Sequence, residues 1–438
     1  MKKSIIVSIL FVVLVTACRK EPVELINPNM RFKNCKTYVQ QFEAVWEGMD
    51  QGYMYWEVDT VDWDARYEKY LPVFQDFDSR PANHPVNPRE YKNAWKGLFA
   101  GLTDHHLFVR CWNPKQQFDT EYEVNPGSDE VHSRDYYHWT DSYTQLKVLK
   151  NMEGVEKFFG FDGASYGTIN FPMSYSCQLP GKTEGKKIAY LRFSSFQFSE
   201  ALYYMEYLNE SDRGKYQHAF YNFFGNYTLS GVTGKGWPNS DEVEALIIDV
   251  RGNNGGSTAD LNALIGCLAQ QRTHVGYTRV KEGVGRLDYS AWTPYYVPCP
   301  GNHMKEAKPI VVLADVNSVS CAELATMLIK NLPNGIFIGE RTFGATGALL
   351  SNSESSHDLF YNGCFGDPDY YTYGEPSYPH VFDYYVYTST YHFVNVNKEA
   401  VEGIGVIPDI EVKYNEEHLY QGIDDQLNRA LEYLRTGK

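Results

Sequence analysis

Three patterns in the sequence predict an α/β core behind a helical front. Residues 309–347 open on a β-branched apolar run (Ile310, Val311, Val312, Leu313) and pass through a polar turn at 315–318. An apolar helical stretch over 321–332 follows, and a second strand at 335–339 closes the unit. An uninterrupted apolar run of this kind belongs to a strand buried on both faces. Residues 243–250 repeat the theme: a buried-strand pattern runs into Arg251-Gly-Asn-Asn-Gly-Gly256, after which Ser257 or Thr258 can cap a helix through Leu268. Between 38 and 102 the apolar residues instead recur at helical spacing.

The chain starts with Lys2 and Lys3, an apolar run over 5–15, and small residues before Cys18. This is the layout of an export signal, and the run is too short to span a bilayer. Val15-Thr16-Ala17-Cys18 resembles a bacterial lipoprotein lipobox, which implies removal of residues 1–17 and lipidation of Cys18 in a bacterial cell envelope. An ordinary signal peptide ending near a cysteine is the other reading. Residues 1–17 hold two lysines and no acid, so their removal moves the formal charge from −15 to −17. Such acidity disfavours nucleic acid and anionic membrane surfaces as partners, whereas a lipid would tether the chain to a membrane without spanning it. Cys35, Cys111, Cys177, Cys267, Cys299, Cys321 and Cys364 show no CxxC pair or regular spacing, so neither a zinc site nor a disulfide framework is expected. With 438 residues there is length for two or three domains, and 15% aromatic residues exclude a disordered chain.

Residues 19–33 carry two prolines and little periodicity and read as a tether. A helix is expected over 38–49, built on Val39, Phe42, Val45 and Trp46. A second starts near Trp63, and a third over 89–102 delivers Thr103-Asp104-His105-His106 into a strand over 107–111. Residues 112–186 are poorly patterned, with a helix expected over 143–158. A strand over 187–196 and a helical stretch over 199–224 restore order. Residues 354–395 form an aromatic-rich insertion, read as a substrate-binding wall or as packing under a long loop, and a last strand is expected over 410–412.

Ser320 stands where a strand hands over to a helix, so the free amides of the first helical turn face whatever its hydroxyl approaches. Ser320-Cys-Ala-Glu323 is also a capping box, and a plain cap is the commoner role for such a serine. The glycine turn at 251–256 forms a backbone concavity suited to developing negative charge, or a tight turn in which glycines allow positive φ. A phosphate loop is disfavoured, since GxGxxG and a following Lys-Ser/Thr are both lacking. No HExxH-like spacing is present, and no metal or other cofactor is expected.

Four stretches, taken together and in order, resemble the tail-specific (C-terminal processing) protease and tricorn core protease superfamily of serine peptidases. They are Leu102-Thr-Asp-His-His106, Asp249-Val-Arg-Gly-Asn-Asn-Gly-Gly256, Ser318-Val-Ser-Cys-Ala-Glu323 and Glu402-Gly-Ile-Gly-Val-Ile-Pro-Asp409. The resemblance implies a crotonase/ClpP-like core of ββα units with Ser320 as nucleophile. It also implies an oxyanion hole from the amides of Gly255 or Gly256 together with Cys321. In the Ser–Lys branch the base is a lysine in a TFGKG-like motif, whereas this chain reads Thr342-Phe-Gly-Ala-Thr-Gly347 with Ala345 in the lysine's place. Arg341 stays protonated and makes a poor base. The resemblance therefore points to the tricorn-like branch, with His106 as base and Glu402 in the catalytic set. His105 departs from that branch, which often has serine there. Many relatives carry a PDZ module after the histidine; here it is degenerate or absent.

The resulting expectation is a lipid-anchored serine endopeptidase acting on peptides or unfolded proteins. Its parts are a signal peptide over 1–17, a tether over 18–33, a helical domain over 34–111, a linking region over 112–186 and the core over 187–438. An inactive peptide-binding lipoprotein of the same fold and a surface glycan-binding lipoprotein are the alternatives.

Overall fold

The computed structural model describes residues 35–111, 122–166, 169–198, 203–228, 231–233, 236–283, 285–299, 303–347, 364–366 and 384–438. The expected export sequence with Cys18, the expected tether and most of the aromatic-rich insertion lie outside them.

In chain order the front comprises α1 (Tyr38–Gly52), α2 (Trp63–Ser79), α3 (Pro88–Phe99), β1 (Phe108–Cys111) and β2 (Tyr122–Val124). There follow α4 (Pro126–His132), α5 (Ser142–Asn151), β3 (Glu156–Phe161), β4 (Ala164–Tyr166), β5 (Ile169–Phe171), β6 (Ser174–Pro180) and β7 (Lys187–Phe193). Next come α6 (Glu210–Phe224), β8 (Asn226–Thr228), β9 (Gly231–Thr233), β10 (Val243–Asp249), α7 (Thr258–Leu268), β11 (Thr273–Val280) and β12 (Thr293–Val297). The chain continues through β13 (Ile310–Ala314), α8 (Cys321–Lys330), β14 (Gly335–Gly339), β15 (Cys364–Gly366), β16 (Tyr384–Tyr387) and β17 (Tyr391–Val394). It ends with β18 (Ile410–Glu411), α9 (Glu416–Tyr420) and α10 (Asp425–Thr436).

The front helices start where side-chain oxygens can hold free amides: Thr37 accepts from Gln40 N, Asp62 from Ala65 N and Asn87 from Arg89 N. Their inward faces meet in an aromatic core containing Phe42, Trp63, Phe74, Tyr91 and Trp95. Leu102, Leu107 and Val109 belong to the same core. The turn 103–106 is thus clamped at both ends by buried apolar side chains while its own residues stay polar. The third helix ends at Phe99 rather than 102, because Gly101 (φ +82°) turns the chain.

The core is a seven-stranded sheet in the order β18-β14-β13-β10-β7-β6-β3. Strands β7, β10, β13, β14 and β18 run parallel, while β6 and β3 are antiparallel additions. Helices α7 and α8 cover one face with an apolar cluster, and α10 packs Leu427, Ala430 and Leu431 on the other. All five residues of β13 are buried, as its position between β10 and β14 demands. Because β10, β13 and β14 are neighbours and parallel, the loops leaving their carboxyl ends share one rim of the sheet, where open α/β sheets build sites.

One further expectation needs correction. The helix expected over 143–158 stops at Asn151; Gly154 (φ +77°) reverses the chain, and Glu156–Phe161 is strand β3. Within the helical stretch expected over 199–224, a 3-10 turn spans Met205–Tyr207 and α6 begins at Glu210, where Asn209 caps it through Asp212 N; residues 199–202 lie outside the described set. From the aromatic-rich insertion, β16 pairs with β1 and β17 with β11, so its described end is regular sheet.

Candidate active site

The loop after β13 carries Ser320 at φ 58°, ψ −120°. Ordinary caps in this chain, Asp62 at φ −77° and Ser257 at φ −72°, sit in the extended region. A positive φ at serine costs of order 1–3 kcal/mol and persists only where surrounding structure enforces it. Glu323 Oε2 accepts the Ser320 N–H at 3.3 Å, the reach-back half of the capping box. Ser320 thus departs from the extended backbone of those caps. Cys321 opens α8, so its amide belongs to the unsatisfied first turn. Its thiol packs inward, Sγ to Gly256 O at 2.9 Å, and burial pushes it up to about 12, leaving it unreactive.

The loop after β10 divides into a brace and a cradle. Asp249 and Arg251 are buried and paired at 2.6 Å, and Arg251 also reaches Asp424 at 2.9 Å, fixing the start of α10. Burial opposes the charge on Asp249, but Arg192 and Arg251 bring it down to about 2. Asn253 stitches the cradle: its Nδ2 donates to Phe193 O at 2.8 Å, and its carbonyl accepts Val319 N from the Ser320 turn at 2.9 Å. Gly255 donates its own amide to Asn253 Oδ1 at 2.8 Å. That commits one of the three amides nominated from sequence to holding the turn. Gly255 serves by what it lacks: at φ +85°, a Cβ there falls 2.6 Å from Ser320 Cβ and 2.8 Å from Cys321 N. Its bare α-carbon keeps the space in front of the Cys321 amide open.

The loop after β14, residues 342–347, joins the pieces. Glu323, fully buried, accepts Thr342 Oγ1 at 2.5 Å, Gly344 N at 2.7 Å and Ala345 N at 2.6 Å. Burial raises it to about 7 against these donors. Two residues on, Thr346 N and Gly347 N donate to Glu402 Oε2 at 2.6 and 2.7 Å, and Thr346 Oγ1 at 3.0 Å. His105 N completes the set at Glu402 Oε1, 2.9 Å. One short loop therefore holds the carboxylate under Ser320 at one end and Glu402 at the other.

His106, Asp104 and Glu402 come together: a ring nitrogen and a carboxylate oxygen from each acid lie within 4.8 Å of one another. His106 Nδ1 is buried without a hydrogen-bond partner. Burial depresses the imidazole to about 4, with Asp104 working against the shift and His105 adding to it, so the ring is unprotonated at neutral pH. Burial pushes Glu402 up, the Asp104 and Glu323 charges add to this, and the His105 and Gly347 amides oppose it. Sequence reasoning gave Asp104 no chemical role, although it stood inside the motif. Its carboxylate accepts His106 N at 2.9 Å, Thr388 Oγ1 at 2.6 Å, and Ser389 N and Oγ at 2.7 and 2.9 Å. One histidine and two carboxylates could also make a metal-ligand set. Here each carboxylate already accepts four hydrogen bonds, about as many as its lone pairs allow. His105 takes the other direction, with Nδ1 3.2 Å from Phe343 O and Nε2 3.7 Å from Glu130 Oε2.

The family description Peptidase family S41 matches residues 187–412. No curated protein matches the sequence. Among solved structures, a candidate peptidase from Parabacteroides merdae is 20% identical with a TM-score of 0.58, covering 92% of this chain and 98% of that one. Mature CPAF complexed with lactacystin is 13% identical with a TM-score of 0.53, covering 92% of this chain and 100% of that one. At such identities the likeness is one of fold, and it extends through the helical front as well as the sheet.

Proposed function

The chain belongs to peptidase family S41 and is by that membership a serine-type peptidase, and from that premise we propose that it is an exported, lipid-anchored endopeptidase working through Ser320, His106 and Glu402. Ser320 Oγ attacks the scissile carbonyl while His106 takes its proton. The tetrahedral oxyanion accepts from the Gly256 and Cys321 amides, each such donor stabilising it by roughly 3 kcal/mol. His106 then protonates the leaving amine, and water, deprotonated by the same ring, hydrolyses the acyl-enzyme. Glu402 and Asp104, beside that ring, stabilise the imidazolium formed in each step.

The observation that carries this reading is the grip of residues 342–347 on both Glu323 and Glu402. It couples the strained serine turn to the histidine–carboxylate cluster through a few backbone bonds. Among the described residues no helix is long and apolar enough to cross a membrane, so attachment rests on the lipobox-like Cys18. The competing reading, a peptide binder without turnover, is favoured by Ala345 in the lysine's place. Treatment with a fluorophosphonate followed by peptide mass spectrometry separates the two. Labelling of wild type, lost in Ser320→Ala and slowed in His106→Ala, is expected; an unlabelled wild type that still binds peptide establishes the binder.

A further inference from the structure

A cleft of about 630 Å³ opens beside the glycine turn, bounded on one side by Gly255 and Gly256 and on another by Ser194, Ser195 and Gln197. Its walls are tied directly to the reaction centre. Phe196 N donates to Gly255 O at 2.7 Å, Ser195 Oγ to the same carbonyl at 3.0 Å, and Asn254 N to Ser194 O at 3.2 Å. Gly255 in turn abuts Ser320. A peptide whose scissile carbonyl lies at Ser320 has a neighbouring side chain within reach of this cleft. Phe171, Pro172 and Met173 supply an apolar wall. The lining holds one charged residue, Asp162, and no cation. Asp162 is exposed to the cleft, yet its carboxylate is held by the hydroxyl of the buried Tyr175 at Oδ1, leaving Oδ2 for a ligand. No ion pair to Asp162 occurs among the described residues.

An apolar wall with one fixed carboxylate suits a side chain that has an aliphatic stem and a cationic head. The formal charge of −15 draws the same class of peptide toward the surface. We infer that this cleft is a specificity subsite for a lysine or arginine close to the scissile bond, with Asp162 as its recognition residue. The inference rests on the peptidase reading above and narrows its substrate class to basic peptide segments.

The test is a set of quenched-fluorescence peptides in which Lys, Arg, Gln or Glu replaces each residue near the cleavage point of the best-cleaved unfolded protein. At one position wild type should cleave the Lys and Arg peptides about tenfold faster in kcat/KM than Gln, the worth of one charge-assisted hydrogen bond. Asp162→Asn should reduce that ratio to near one, and Asp162→Lys should turn the preference toward Glu. Tyr175→Phe, which frees the carboxylate to swing, should weaken it partway. A profile identical in wild type and Asp162→Asn overturns the inference while leaving the peptidase intact. Fluorescence anisotropy of the same peptides on Ser320→Ala reads binding without turnover. A Lys-over-Gln preference there that vanishes in the Ser320→Ala/Asp162→Asn double variant upholds the cleft even if no cleavage is ever seen; equal binding overturns it.

Discussion

Gly255→Ala tests the reaction centre with one methyl group. The added carbon lands 2.6 Å from Ser320 Cβ, 2.8 Å from Cys321 N and 2.8 Å from Val319 O. Two of those three atoms are backbone, so relief requires movement of the nucleophile turn itself. The left-handed φ of +85° costs alanine roughly 1–2 kcal/mol. Overpacking adds roughly 1–3 kcal/mol. Together they lower stability by about 2–5 kcal/mol, read as an earlier midpoint in chemical unfolding. The larger effect is on chemistry: a turn displaced by a good fraction of an ångström should lose roughly a hundredfold in kcat, because attack geometry and the oxyanion pocket shift together. Gly422→Ala is the control, since that glycine also has positive φ (+86°) but nothing within 4 Å of the added carbon. It should show the backbone cost alone with full activity. The assay pairs cleavage of an unfolded, fluorescently labelled protein with the rate of fluorophosphonate labelling. If Gly255→Ala is labelled at the wild-type rate and unfolds like Gly422→Ala, the glycine turn does not press on the nucleophile, and the bare α-carbon at 255 has no part in keeping the oxyanion pocket open.

Other perturbations probe the surrounding parts. The acid limb of kcat/KM should fall near pH 4, because catalysis needs neutral His106, whose value is depressed to about 4; a limb near 6.5 would contradict the burial of that ring. Glu402→Gln puts an amide NH₂ against either the His105 amide or the Thr346 and Gly347 amides, so it should cost about 1–3 kcal/mol in chemical unfolding and slow labelling of Ser320. Arg251→Met takes the paired cation from Asp424 and leaves Asp249 with Arg192, 3.5 Å away, so it should destabilise by about 3–5 kcal/mol at neutral pH. The Asp249 contribution is present above its unfolded value near 4 and is lost as pH falls through about 2, so the penalty should shrink in acid. His138 stands 2.6 Å from Glu340 and is raised by that carboxylate despite burial, so the pair stabilises below the unfolded histidine value and fades as pH rises through the folded one. The stability gap between wild type and His138→Asn should accordingly be wider at pH 6 than at pH 8.5.

The strand–turn–helix units around Ser320 and Gly255 were legible because buried parallel strands write long apolar runs and tight turns write glycines. The pairing of His106 with Glu402 was legible only through the family resemblance, since 297 positions separate His105 from Glu402 and no local pattern links them. The hydrogen-bonded setting of Asp104, quoted only as part of the motif, gave no signal for the same reason: Thr388 and Ser389, which saturate it, are 284 and 285 positions away. Strand β6 is silent in the sequence because its buried residues include Ser174, Ser176 and Gln178, which break the apolar run a central strand normally shows. The helix expected over 143–158 overruns because its apolar spacing continues past Asn151, where the helix ends, and past Gly154, where the chain reverses. Asp162 is likewise silent, since its position beside the glycine turn depends on the β3–β6 pairing.

The replacement of a lysine by Ala345 is the departure that shapes this site. In the lysine-bearing branch that loop delivers a base. Here its contribution is made by backbone: Gly344 and Ala345 amides to Glu323, Thr346 and Gly347 amides to Glu402. The only side chains the loop adds to those carboxylates are the hydroxyls of Thr342 and Thr346. None of these bonds needs a lysine, so its loss leaves the scaffold whole. A buried amine at 345 would enter a space already lined by fully buried polar groups, whereas the alanine methyl is wholly buried at no electrostatic cost. The loop thus becomes a spacer of fixed length between α8 and Glu402, and in the proposed mechanism the proton-accepting role falls to His106, held on a different element by the aromatic core of the helical front.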